Sequence, residues 1–380
     1  MRFLHTSDWH IGKKFHQVDL LENQALFFEW LVQVAVSEKV DCVLVSGDIF
    51  DRATPKGDAV ILADDVFSKL LQVGVSVVAI SGNHDSAERL YFGSKAMGSA
   101  GLHIRTERPH LSEIGIPITI KSKLGDEVQV LPIPYLDPQR INLEDGVERR
   151  HDSVLQAVIA HQMNLIIDPS RCIIMSHAFV TGGAESDSER PLSVGGTPQI
   201  PASSFDGFGY VALGHLHRPQ TLGSGNIFYS GSPLPYSFSE EHEKSVRIVD
   251  VDQKITSNEI KIDVGMGVVT ITDTLENLLK SSKYIKAEDS FVRAILTDSS
   301  IQPLAMDKLR ERFSQILEVG QQAMKQQGIL SGEDARRSVQ RNPKQVVDQY
   351  VADTFEETLE DHVTEFINSA ISESIQAANS

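Results

Sequence analysis

The sequence predicts an α/β protein whose strands deliver their chemistry at their carboxyl ends. Three observations carry that prediction. Up to residue 250, short apolar, β-branched runs alternate with stretches of helical spacing. The runs show little polar alternation, as expected of strands covered on both faces. Five successive strand ends also carry Asp, Asn or His, and open α/β sheets build their sites where strands hand over to loops.

In order, residues 3–7 read as the first strand and deliver Asp8-Trp9-His10. Residues 22–36 place Leu26, Phe27, Trp30, Leu31 and Val34 at helical spacing. A second strand over 41–46 ends in Gly47-Asp48-Ile49-Phe50-Asp51. A second helix over 56–72 returns the chain to a third strand, which delivers Gly82-Asn83-His84-Asp85. Gly82 is expected to supply a backbone turn that other residues resist. Residues 172–176 then deliver His177, and 210–213 deliver Gly214-His215-Leu216-His217. Residues 227–230 lead into Gly231-Ser232-Pro233. His5, on an apolar strand, reads as a core histidine. Between these segments, 117–120 and 128–131 look like antiparallel strands, and 151–165 like a helix. The Gly-, Ser- and Pro-rich loop 181–204 either overhangs the site or is a solvated insertion.

Composition changes near Val264-Gly265-Met266-Gly267. A strand (268–271), a helix (275–281), a strand (291–296) and a helix (306–317) follow, too small a unit to join the main sheet. The expected organisation is a main domain over 1–263, a small α/β module over 264–322, and a linker with a C-terminal helix over 323–380. The linker is the polar stretch 320–343. The helix shows its apolar stripe in Val347, Val351, Phe355, Leu359, Val363, Phe366 and Ala370. It either packs on its own domain or reaches another chain.

With 380 residues and 41% hydrophobic content, the chain can build its core without staples. Cys42 and Cys172 both lie in apolar runs and read as buried thiols in a reducing compartment. Met1 leads directly into the first strand, and no apolar run approaches the ~20 residues that cross a bilayer. The expectation is a cytoplasmic protein with no membrane contact. A net charge of −17 argues against nucleic-acid binding by charge alone. Residues 345–380 hold eight acidic residues and no Lys or Arg, so nearly half of that charge sits in the tail. Binding DNA would need divalent cations or a partner. Lys13, Lys14, Arg52, Arg89 and Arg218 flank the strand-end loops and are either phosphate contacts or solvated charges.

Asp8, His10, Asp48, Asn83, His177, His215 and His217 make seven candidate ligands of mixed nitrogen and oxygen type. That is too many for one tetrahedral zinc, and no thiolate is near them. Two adjacent ions sharing a carboxylate suit the set, with Mn²⁺, Fe²⁺ or Zn²⁺ all compatible. Such a pair clamps the attacking and leaving oxygens of a phosphoryl transfer. His84, next to a ligand but redundant for coordination, is available to protonate the leaving oxygen.

D-x-H, G-D-x-x-D, G-N-H-D, a lone His and G-H-x-H, in this order, resemble the calcineurin-like metallophosphoesterases. The resemblance covers roughly residues 1–250. Within that superfamily, Leu4-His5-Thr6-Ser7-Asp8-Trp9-His10 and Ala212-Leu213-Gly214-His215-Leu216-His217-Arg218 look like the bacterial nuclease subunits that work with an SMC-like ATPase. The resemblance implies a four-layer α/β/β/α sandwich with a small α/β cap domain and a C-terminal helical partner-binding segment. It implies that Asp8, His10 and His217 hold one metal, that Asp48 bridges, and that Asn83, His177 and His215 hold the second. His84 matches the catalytic histidine, with Asp85 orienting it. Archaeal and eukaryotic relatives carry a histidine where this chain has Asp51, so that residue's role does not transfer.

The activity implied is an Mn²⁺-dependent 3′–5′ exonuclease on duplex DNA and an endonuclease on single strands and hairpins. It would serve DNA repair, recombination and replication, gated by the ATPase in a heterotetramer holding a homodimer of this chain. The alternative is a phosphodiesterase or phosphatase acting on a small molecule or nucleotide, which would need neither cap nor tail. A binding scaffold that has lost catalysis is a third class, and the full ligand set with His84 counts against it.

Overall fold

Strands that read as unbroken apolar runs turn out to lie between two covered faces. The computed structural model describes residues 1–189, 199–223 and 225–322. The chain runs β1 (Arg2–Thr6), the short strands β2 (Lys14–Phe15) and β3 (Val18–Asp19), α1 (Leu21–Ser37), β4 (Cys42–Ser46) and α2 (Gly57–Gln72). It continues through β5 (Ser76–Ile80), the short helices α3 (Ala87–Tyr91) and α4 (Ser94–Ser99), and β6 (Leu102–Arg105). Then come β7 (Ile118–Lys121), β8 (Glu127–Ile133), α5 (His151–Gln162), β9 (Ile173–His177) and β10 (Tyr210–Gly214). Next are β11 (Gln220–Leu222), β12 (Ile227–Tyr229), β13 (Ser245–Val251) and β14 (Ile255–Lys261). The remaining elements are β15 (Val268–Asp273), α6 (Leu275–Lys280), β16 (Phe291–Leu296), α7 (Ala305–Arg310) and β17 (Ile316–Gln321).

Two six-stranded sheets carry the main body. One has the order β14-β13-β1-β4-β5-β6, the other β11-β12-β10-β9-β8-β7. In the first, β1, β4, β5 and β6 are parallel, and β13 adds antiparallel to β1. In the second, β8, β9, β10 and β12 are parallel. Side-chain alternation then sorts each strand between two cores. Leu4, Val43, Val45, Val77 and Ala79 pack with Phe27, Leu31, Val66 and Leu70 of α1 and α2. Phe3, Cys42, Leu44, Val78 and Ile80 face the other way and meet Ile173, Met175, Tyr210 and Ala212 of the second sheet. On that sheet's far side, Ile174, Val211 and Leu213 pack with Val154, Leu155 and Val158 of α5. The layers are therefore α/β/β/α, as the resemblance implied.

The hairpin β13–β14 is not announced by the sequence, because β14 is largely exposed and polar. The helix expected over 306–317 ends at Arg310, and residues 316–321 form a strand beside β16 instead. Leu309, Phe313 and Ile316 have helical spacing and are all buried, but strand pairing with β16 overrides it. By contact, one unit comprises 1–271, 282–293 and 310–318, and the other includes 272–281, 294–309 and 319–322. The C-terminal helix and most of the linker lie outside the described residues. Among those described, no helix is long and apolar enough to cross a membrane. Cys42 and Cys172 are free and buried.

Candidate metal centre

Parallel neighbours end at one level, so the loops after β1, β4 and β5 gather at one edge of their sheet, and those after β9 and β10 face them. Backbone hydrogen bonds tie the loops together. Asp8 N donates to Gly47 O at 3.0 Å and His10 N to Asp48 O at 2.9 Å. His215 N donates to Asp8 Oδ1 at 2.9 Å, joining the two sheets. The tight turns are bought with backbone strain. Asp8, His10, Asp48 and His215 have φ of 52°, 43°, 49° and 106°, a region that non-glycine residues seldom occupy. Four candidate ligands share it, which is where strain concentrates when a site is over-determined by its surroundings.

All of these side chains are buried. Among the described residues, three groups hold ligand atoms within 4.8 Å of one another: Asp8, His10 and His217; His10, Asp48 and His84; and Asp8, Asp48 and His177. Asp48 Oδ2 lies 3.5 Å from His10 Nε2, 3.5 Å from His177 Nε2 and 4.0 Å from His84 Nε2. Asn83 Oδ1 is 2.9 Å from His177 Nε2. His177 Nδ1 faces the Ser46 carbonyl at 2.9 Å, so Nδ1 carries the proton and Nε2 is turned toward the carboxylate. His215 presents its ring 5.5 Å from that of His177, but its nitrogens join none of the three groups.

The donor set fits divalent cations. His10 Nε2 and His217 Nε2 stand 3.2 Å apart, two ring nitrogens converging beside carboxylate oxygens. His10 Nδ1 is buried with no hydrogen-bond partner among the described residues. Burial, against its imidazole neighbours, pushes the Asp8 carboxyl up to about 6. Burial also disfavours a charged Asp48, yet the rings of His177 and His10 hold that carboxyl well below its ordinary value. His177 is penalised by burial too, and Asp48 and Asp8 nevertheless lift it to about 9. The buried carboxylates thus draw positive charge into the site. Burial keeps His10 and His215 well below the ordinary imidazole value, as unprotonated nitrogen donors.

The family model for calcineurin-like phosphoesterases matches residues 1–219. The chain belongs to that family. The SbcD component of the SbcCD nuclease from Staphylococcus saprophyticus is 31% identical over 295 residues, covering 77% of this chain and 77% of its own. The SbcD component from Staphylococcus epidermidis is 31% identical over 322 residues, covering 83% and 84%. This chain groups with those SbcD proteins within the calcineurin-like phosphoesterases. A dimetal phosphatase from Danio rerio is 16% identical and superposes with a TM-score of 0.38 over 69% of this chain and 98% of its own. The family and the buried His/Asp groups together point to a dimetal site.

Two expectations about this phosphoesterase loop need correction. Asp85 does not orient His84. Its carboxylate accepts from the N–H groups of Gly82 (2.9 Å), Ile49 (3.1 Å) and Phe50 (2.9 Å), clasping the β4 and β5 loops together. Burial and nearby Asp48 push that carboxyl up to about 7 despite the three donors. The His84 ring is instead held by Asp51, whose carbonyl accepts from Nδ1 at 2.8 Å. Gly82, for its part, is not in the left-handed region. A β-carbon there would collide with the Asp48 carboxylate and backbone nitrogen, so the glycine supplies space rather than a turn.

Other residues of the phosphoesterase site lie outside the proposed ligand set. The Asp51 side chain accepts from Lys13 Nζ at 2.9 Å, 3.8 Å from His10 Nδ1. Tyr236 donates its hydroxyl to the carbonyl of Trp9 at 2.7 Å, with its ring 5.3 Å from both His10 and His217. Gln24 on α1 donates to the carbonyls of Trp9 and His10 at 3.0 and 2.8 Å. His5 is a core histidine, its nitrogens against Tyr210 Oη, Leu213 O and Ser46 Oγ. From the loop 181–204, Ser188 Oγ reaches His217 Nδ1 at 2.6 Å, and Glu189 Oε1 accepts from His217 N at 2.8 Å.

Proposed function

We propose that this chain is the nuclease subunit of an SbcCD-type complex, hydrolysing DNA phosphodiester bonds with two divalent ions, Mn²⁺ first among them. The observation that carries the reading is His84. Its Nδ1 is tied to the Asp51 carbonyl, which turns Nε2 toward Asp48 at the edge of the ligand groups. Asp8, His10 and His217 would hold one ion, Asn83, His177 and His215 the other, with Asp48 between them. When bound, the ions supply Lewis-acid activation of water and neutralise charge on the phosphodiester. His84 in its protonated form donates from Nε2 to the leaving sugar oxygen, while the Asp51 carbonyl keeps the ring from turning. The Ser46 carbonyl, accepting from His177 Nδ1, keeps Nε2 aimed at the same place.

The finer assignments belong to the same proposal. The activities are 3′–5′ exonuclease on duplex DNA and endonuclease on single strands and hairpins, in cytoplasmic DNA repair, recombination and replication. The partners are DNA and an SbcC-type SMC-like ATPase, in a heterotetramer around a homodimer of this chain. Residues 264–322 serve as the cap. Residues 323–380 bind the ATPase, so Phe355→Glu should abolish co-purification with that ATPase at a near-normal melting temperature.

The deciding experiment is degradation of a blunt DNA duplex by the purified chain with Mn²⁺, with and without the ATPase partner. Cleavage that requires Mn²⁺ and is lost in His84→Ala supports the reading. Hydrolysis of bis-p-nitrophenyl phosphate with no action on any DNA would leave the small-molecule phosphodiesterase instead.

A further inference from the structure

We propose that Glu240 is a positioning residue for His217, acting through Ser188 and fixed in place by Lys244. This rests on the reading of His217 as a ligand. Glu240 and Lys244 are both buried, at 1% and 8% exposure, and pair at 2.5 Å between Lys244 Nζ and Glu240 Oε2. Two charges are costly to bury, and a structural pair is often replaceable by apolar residues. This pair also grips one histidine from two sides.

Proton counting fixes the direction of the chain. Lys244 Nζ donates to Glu240 Oε2, to Ser232 Oγ at 2.8 Å and to the His217 carbonyl at 3.1 Å, which uses its three protons. Beside that ammonium Glu240 is a carboxylate, and a carboxylate only accepts. Its other oxygen, Oε1, stands 2.5 Å from Ser188 Oγ and takes the single hydroxyl proton. Ser188 Oγ then meets His217 Nδ1 at 2.6 Å with nothing left to donate, so Nδ1 carries the ring proton. The lone pair is left on Nε2, the atom 3.2 Å from His10 Nε2. That is the tautomer a ligand histidine needs, and such outer partners set both ring orientation and basicity.

The anchoring also links the two sheets. Lys244 directly precedes β13, which pairs with β1 of the first sheet, whereas His217 follows β10 of the second. Glu189 adds a third hold, accepting from His217 N while its other oxygen accepts from Ser186 N at 2.6 Å.

Glu240→Gln tests the proton direction at nearly constant volume. Lys244 still needs an acceptor, so the amide oxygen turns to it and the NH₂ group faces Ser188. The hydroxyl proton then goes to His217 Nδ1, and the ring proton moves to Nε2, where it blocks ligation. Calorimetric Mn²⁺ titration should show one of two sites weakened about 10- to 100-fold. Nitrogen-15 spectra of the metal-free protein should show His217 switched from the Nδ1–H to the Nε2–H form. Ser188→Ala should weaken the same site, and Ser188→Thr, which keeps the hydroxyl, should restore it. Ser188 is only partly buried, so its variants carry the test if Glu240→Gln fails to fold. A lowered melting temperature with unchanged Mn²⁺ titration and unchanged His217 spectrum would show a merely structural ion pair and overturn the inference. A wild-type chain that binds no Mn²⁺ would sink the functional reading itself, whereas two normal sites in every variant would sink this inference alone.

Discussion

The backbone N–H of His84 donates to Asp48 Oδ1 at 2.9 Å, so the main chain of one loop fixes the carboxylate of another. Removing the His84 side chain leaves that bond intact. His84→Ala should therefore keep the Mn²⁺ stoichiometry of the wild type while phosphodiester cleavage falls ~10²-fold or more, the usual effect of losing a general acid. Elemental analysis checks the first half and a cleavage assay the second. Loss of metal from the variant would show that His84 is a ligand.

Asp48 and Asp8 differ in what they face. Each joins two of the ligand groups, but Asp48 Oδ2 is ringed by three imidazoles, those of His10, His177 and His84, whereas Asp8 Oδ1 already accepts from the backbone N–H of His215 and stands 4.0 Å from His177. Asp48→Asn should weaken both sites in a calorimetric Mn²⁺ titration, and Asp8→Asn mainly one. Identical titrations for the two variants would count against Asp48 as the bridge.

What could be read from the sequence follows a physical line. Val43, Val77 and Ile174 sit in strands covered on both faces, so burial writes an unbroken apolar run into the chain. Asp8, Asp48, Asn83 and His177 stand directly after such runs, and their side chains name their own chemistry. The carbonyl that holds His84 belongs to Asp51, but any residue has a carbonyl, so nothing in the sequence marks it. Likewise Ser188 and Glu240 are 52 positions apart, and only the fold brings them together on His217. The strand β17 was hidden for a different reason: Leu309, Phe313 and Ile316 have a spacing that suits a helix equally well.

Gly82 tests the claim that space and not turn geometry selects glycine after β5. Its absent β-carbon is replaced by the Asp48 carboxylate and main chain, which hydrogen bonds to His10 and His84 hold in place. Gly82→Ala must displace Asp48 and should cost about 1–3 kcal/mol, the range of overpacked sites. Urea unfolding measures the stability, and Mn²⁺ titration should show weakened binding in the same variant. Gly57→Ala is the control, because among the described residues nothing beyond its chain neighbours and its own helix backbone lies within 4 Å of a β-carbon there and its φ is ordinary. A Gly82→Ala protein with wild-type stability and Mn²⁺ affinity would mean that the Asp48 loop yields easily.

Asp85 separates a clasp from a catalytic role. Its carboxylate accepts from Gly82, Ile49 and Phe50, and Asp85→Ala strands those three N–H groups at the join of two site loops. An unsatisfied buried donor costs about 1–3 kcal/mol, and each kcal/mol lowers the melting temperature of a domain of this size by roughly 2–4 °C. The metal-free Asp85→Ala protein should therefore melt several degrees below the wild type. Asp85→Asn keeps one acceptor oxygen but turns an NH₂ toward the remaining N–H groups, so it should fall in between. Measuring the metal-free form keeps any change in Mn²⁺ binding out of the comparison. If instead both variants melt like the wild type and lose only turnover, Asp85 acts on His84 after all, and the three backbone bonds are incidental.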